Sequence, residues 1–246
     1  MRAALLAALG SALIASSAAA EDGVDRLLRA YPEHLERRDG NQLVWNDGTR
    51  MTIDDGVAGK SADELLETPD VDDMFAYVYP SAFPAAPPQT DPGRIRNAAF
   101  FQKMYGDCAA GEVSKNLVSV DWLPRHKGGR VSITRVNGVD TKLAAVSAEL
   151  DALPEPLIRY LIPSAGTYNC RAIAGTRQPS AHGYGIAIDL NTAFSDYWRW
   201  PKSGWRNRIP AEVVAVFERH GFIWGGKWAH FDTMHFEYRP ELLADR

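Results

Sequence analysis

Ser180-Ala181-His182-Gly183-Tyr184-Gly185-Ile186-Ala187-Ile188-Asp189 is the stretch on which the reading of this chain turns. In an extended segment successive side chains point to opposite faces. Ile186, Ile188 and Leu190 then share one face, which suits a core. Gly185, Ala187 and Asp189 share the other. A carboxylate whose same-face neighbours are Gly and Ala has open space beside it. His182 lies in the turn ahead of this strand and can fold toward the same space.

A second stretch answers the first: Trp224-Gly225-Gly226-Lys227-Trp228-Ala229-His230-Phe231-Asp232-Thr233-Met234-His235-Phe236-Glu237. His235 and Glu237 fall on one strand face, and Met234, Phe236 and Tyr238 on the other, core-like face. His235 can therefore meet Asp189 and His182 across a sheet. Two imidazoles and one carboxylate make a three-ligand set that leaves a fourth zinc position open. Nitrogen and oxygen donors without thiolate favour zinc over an iron–sulfur or copper(I) site.

Around these stretches the chain reads as α+β. Arg130 to Val136 alternates as a strand and ends at the Asn137-Gly138 turn. Asp140 or Thr141 is placed to cap a helix with Leu143, Val146, Leu150 and Leu153 along one face, stopped by Pro154 and Pro156. Pro210 opens a further helix with Val213, Val214 and Phe217 inward and Gly221 as its stop. Met234 to Tyr238 closes the pattern as a strand. Strands and helices do not alternate strictly, so a small antiparallel sheet with flanking helices is expected rather than a doubly wound sheet. Residues 21–95 look less regular. Val24 to Tyr31 suits a short helix, and Gln42 to Ile53 a hairpin about Asn46-Asp47-Gly48. Pro80, Pro84, Pro87, Pro88 and Pro92 then mark a linker or surface wrap. The expected organisation is a segment 1–20, an N-terminal extension 21–95 and a domain 96–246.

Residues 1–20 have the order of a secretory signal peptide. Arg2 precedes a small and apolar run, and Ala18-Ala19-Ala20 offers a cleavage site. The run is short and Ala-rich for a membrane span. The chain is expected to be exported, periplasmic or secreted, with no stable membrane insertion once the segment is removed. Its net charge of −4 becomes −5 without Arg2. Such mild acidity gives no electrostatic case for nucleic acid or anionic membrane. Cys108 and Cys170, the two cysteines, permit one disulfide in an oxidising compartment, or remain separate thiols. A two-cysteine zinc site has no CxxC spacing to support it.

The pattern S-x-H-x-x-G-x-A-x-D followed by W-G-G and D-x-x-H-F-E resembles the M15 family of zinc peptidases. That family includes VanY-type D-alanyl-D-alanine carboxypeptidases and L-alanyl-D-glutamate endopeptidases. The resemblance covers about residues 164–239 and implies a hedgehog/D,D-peptidase-like fold. It implies zinc held by His182, Asp189 and His235, with Asp232 as general base. The D-x-x-H spelling is closer to the endopeptidase-like branch. An arginine upstream of the first motif holds a substrate carboxylate in relatives. Arg171 is the best counterpart, with Arg177 as the alternative. Ser180, Tyr184 and His230 are further candidates for substrate contact, and Glu237 for orienting a ligand. Peptidoglycan stem peptides are the implied substrates, and a monomer is expected. A D,D-carboxypeptidase and a non-catalytic zinc-stabilised envelope-binding module are the rival readings.

Overall fold

A computed structural model describes residues 22–173, 175–200 and 204–243. The candidate signal segment lies outside the described residues. The architecture is α+β, with three small antiparallel sheets and helices packed around them. Among the described residues no helix is long and apolar enough to cross a membrane.

The sheet that positions the site is the last. Strand β6 (Ala187–Asp189), helix α6 (Ala211–Arg219), β7 (Phe222–Trp224) and β8 (His235–Tyr238) follow one another in the chain, and the strand order is β6-β8-β7. To number them so, β1 is Leu35–Asp39, β2 Gln42–Trp45, β3 Arg50–Thr52, β4 Leu117–Asp121 and β5 Arg130–Thr134. The earlier helices are α1 (Gly23–Ala30), α2 (Ala62–Glu67), α3 (Ala98–Tyr105), α4 (Val139–Leu150) and α5 (Glu155–Ile158). The register of the last sheet sets Ile188 opposite Phe236 and Asp189 opposite His235. One face is thereby the core. Phe217 of α6 stacks on Phe236 at 3.9 Å between ring centres, and Ile188 and Phe236 are fully buried. Burying such side chains stabilises the sheet by about 1.5–3 kcal/mol each. The opposite face carries Asp189, His235 and Glu237.

The alternation around Arg130, the hairpin β2–β3 and the helices at 23–30 and 211–219 take the expected places. The cap of α4 differs. Gly138 is the N-cap in a left-handed conformation, and neither Asp140 nor Thr141 supplies a side-chain cap. The left-handed turn at Asn137-Gly138 delivers the chain into the helix two or three residues earlier than either polar cap would.

Residues 22–95 are not detached from the rest. Leu27, Tyr31, Leu43 and Trp45 share one hydrophobic cluster with Phe100, Phe101 and the last sheet. The proline-rich run is a surface wrap. Tyr79 donates its hydroxyl to Glu218 at 2.6 Å and accepts from the Trp224 N–H at 2.9 Å. Phe83 stacks on Trp224 with ring centres 5.5 Å apart. The run ends in a tight turn stitched to the strand region: Trp228 donates to the Pro92 carbonyl at 2.6 Å, Ala229 to that of Thr90 at 2.8 Å, and Arg239 to that of Gly93 at 2.8 Å. Gly93 has φ +91°, and a Cβ there would lie 2.4 Å from Ile223 Cδ1, so glycine is required.

Candidate metal centre

His182 sits in a single 3-10 turn, Ala181–Tyr184. Ser180 caps that turn, its hydroxyl accepting from the His182 N–H at 3.4 Å. Ser180 thus positions the histidine backbone as well as lining the cavity. On the outer edge of β6 a further chain segment pairs with Asp189. Ala165 N–H donates to the Asp189 carbonyl, and Asp189 N–H donates to that of Gly166, both at 2.8 Å. This sets the Thr167 carbonyl beneath His182.

The two rings have fixed tautomers. His182 Nδ1 meets the Thr167 carbonyl, which only accepts, so Nδ1 carries the hydrogen and Nε2 keeps its lone pair. His235 Nε2 lies 2.9 Å from Glu237 Oε2, so in the neutral ring that nitrogen donates and Nδ1 keeps its lone pair. Those two lone-pair nitrogens are 3.1 Å apart. Asp189 places Oδ2 3.2 Å from His182 Nε2 and Oδ1 3.1 Å from His235 Nδ1. Three acceptors converging on one point repel one another unless a cation joins them. For zinc–ligand distances of about 2.0–2.1 Å, a tetrahedral site spaces its ligand atoms about 3.3 Å apart. The trio is close to that spacing, and its two nitrogens and one oxygen suit zinc.

The electrostatics show the same demand for positive charge. Burial opposes charge on His235, but its hydrogen bonds with Asp189 and Glu237 prevail and push it up to about 10. Burial likewise raises Asp189, yet the two imidazoles hold its carboxyl well below the usual range. A divalent ion held by His182, Asp189 and His235 would satisfy this demand in place of a proton.

Glu237 is fully buried and heavily paired. Arg96 grips it with two nitrogens, Nε to Oε1 at 3.1 Å and Nη2 to Oε2. Arg239 Nη1 approaches Oε1 at 3.3 Å. Burial would protonate Glu237, but Arg96, His235 and Arg239 hold its carboxyl below the ordinary range. Arg239 in turn pairs with Glu241, which accepts from the Tyr31 hydroxyl at 2.6 Å. A chain of charge-assisted hydrogen bonds therefore runs from His235 through the core to α1.

Asp232 precedes β8 and faces the cavity, of about 340 Å³, that the trio also lines. Its Oδ1 is buried without a hydrogen-bond partner. Burial is the main reason its carboxyl is pushed up to about 7; Asp189 adds to the rise, and His235, Arg171 and Arg94 oppose it. A carboxyl poised near neutrality beside an open cavity is suited to taking and returning a proton.

The remaining candidates divide. Arg171 is exposed at the cavity wall, next to Cys170. Cys170 is disulfide-bonded to Cys108, with a Cα–Cα distance of 5.6 Å. Arg177 instead points to solvent near Glu67. His230 lines the cavity, its Nδ1 held by Asp91 Oδ2 at 2.7 Å and its ring against Trp198. Tyr184 corrects the sequence reading. It is packed in the core against Phe101 and Tyr105, does not line the cavity, and so is not placed to touch a substrate. Its aromatic bulk, following Gly183, serves the hydrophobic side of the turn. Tyr197, Trp198 and Trp200 do reach the cavity wall. Sequence reasoning missed Thr167, Asp91, Arg94 and Arg96. Thr167 acts through a backbone carbonyl that any residue supplies. The others lie far upstream, where only the Arg94-x-Arg96 pair after Pro92-Gly93 gave a signal.

Residues 174–238 match the family model described as Peptidase_M15_4, D-alanyl-D-alanine carboxypeptidase. The matched segment carries the whole trio with Asp232 and Glu237, and peptidases of this family are generally zinc-dependent. No curated protein and no solved structure matches the chain.

Proposed function

We propose that this chain is an exported zinc peptidase that hydrolyses a peptide bond within peptidoglycan stem peptides. The observation that carries the reading is the convergence of two lone-pair nitrogens and a carboxylate beside a buried acid. His182 through Nε2, Asp189 through its carboxylate and His235 through Nδ1 would hold the ion. Zinc there would make a water acidic enough to ionise near neutrality and would polarise the scissile carbonyl. Asp232 takes the proton of the attacking water and delivers it to the leaving amine. His230, with Nδ1 fixed by Asp91, turns Nε2 toward the cavity, and donates from it only as the charged ring. Arg171 offers a planar fork to a substrate carboxylate. Glu237 and Thr167 fix the two ligand rings.

The second reading is a D-alanyl-D-alanine carboxypeptidase, favoured by the description of the matching family and by the arginines on the cavity wall. Digestion of purified sacculi, read by mass spectrometry, separates the two. The endopeptidase reading predicts cuts inside stem peptides, whereas release of terminal alanine alone supports the second. Intact sacculi with zinc bound would leave a non-catalytic module.

A further inference from the structure

The reaction cavity does not end at His230. A second cavity of about 440 Å³ adjoins it, and Arg94, Trp198 and His230 border both. Its far wall is helix α2, so it exists only because residues 22–95 fold against the domain.

The charges around it are unequally satisfied. Asp91 is committed to His230, accepting from its backbone N–H at 2.9 Å and meeting its ring at 2.7 Å. Glu67 lies 3.7 Å from Arg177, its Oε2 buried without a hydrogen-bond partner, and Asp63 is exposed at the first turn of α2. Arg94 is the buried cation of this wall. Its side chain is only 12% exposed, its Nη1 is buried without a hydrogen-bond partner, and Asp91 Oδ2 approaches that atom no closer than 3.4 Å. Burial, helped by the neighbouring Arg96, pulls its guanidinium below its ordinary value despite Asp91. A buried guanidinium lacking a full complement of acceptors is costly unless a ligand supplies them. A carboxylate matches that fork in shape and charge.

The geometry points to this second cavity as a substrate subsite for a carboxylate-bearing group of the peptide, recognised by Arg94 and walled by Trp198 and α2. This rests on the peptidase reading for the identity of the peptide. The subsite is distinct from any contact at Arg171, which is exposed on the opposite chain segment beside the disulfide. It gives the N-terminal segment a part in specificity.

The test uses the full mature chain, zinc-loaded and carrying Asp232→Asn to prevent turnover. Calorimetry measures its binding of a synthetic stem tetrapeptide and of versions amidated at one carboxylate each. One amidated version is expected to bind about tenfold or more weaker, consistent with loss of a charge-assisted contact. Adding Arg94→Gln should weaken the unmodified peptide by the same factor and abolish that discrimination. Arg94→Lys should recover part of it. The proposal is overturned if Arg94→Gln keeps the discrimination, if it weakens every version equally, or if no version binds the parent protein. Sacculus digestion by the protein with Asp232 intact is run alongside. Digestion without Arg94 dependence sinks the subsite alone, and Arg94-dependent binding without digestion sinks the peptidase reading alone.

Discussion

At the level of single side chains, Asp232 combines the burial that makes it a base with a burden on stability. Its folded-state value near 7 exceeds the ordinary 3.8, so the folded protein holds a proton that the unfolded chain has lost. The metal-free protein should therefore lose stability as pH rises from about 4 to 7, with the full penalty above that. Asp232→Asn should remove this pH dependence, raising metal-free stability at pH 8 by about 1–3 kcal/mol in denaturant titrations. The same substitution should lower hydrolysis about 10²–10⁴-fold while leaving zinc content unchanged. If metal-free stability is flat across that pH range, the burial argument fails. Glu237 gives a complementary case. Glu237→Gln leaves Arg96 without its counter-charge, Arg239 with Glu241 alone, and the Nε2 side of His235 without an anionic partner. Zinc affinity should fall about 10–100-fold in competition titrations, with a stability loss of about 3 kcal/mol or more. Unchanged affinity would mean that Glu237 plays no part in orienting His235.

At the scale of elements, the site depends on the register of β6 with β8 and on the segment that Cys170 anchors. Replacing Cys108 and Cys170 by serine opens a loop whose ends are 62 residues apart, a loss of about 4 kcal/mol in the chain-entropy model, measurable by denaturant unfolding. A loss near zero would mean that the segment is held by its backbone pairing alone. What could be read from sequence follows the same division. Strands β6 and β8 alternate cleanly between core and site faces, so the placement of Ile188 and Phe236 on one side and Asp189 and His235 on the other was legible residue by residue. Tyr184 was named as a substrate contact on the resemblance alone, whereas its ring joins the core side that Ile186 and Ile188 take. Thr167 was invisible because its carbonyl, not its side chain, fixes His182. Asp91, Arg94 and Arg96 were obscured because tertiary folding alone brings an upstream turn to the cavity.

Across the whole molecule, residues 22–95 complete both the core and the site wall. Removing them strips Leu27, Tyr31 and Trp45 from the shared cluster and leaves Arg239 without the Gly93 carbonyl. A chain starting at residue 96 should show no cooperative thermal transition, and a sharp one would contradict this account of the core. All of it bears on one coordination sphere. Metal analysis and X-ray absorption on the purified full-length protein should find one zinc per chain, bound by two imidazole nitrogens and a carboxylate oxygen and lost on His182→Ala or His235→Ala. A protein that takes up no zinc, or keeps it through both substitutions, would contradict the assignment.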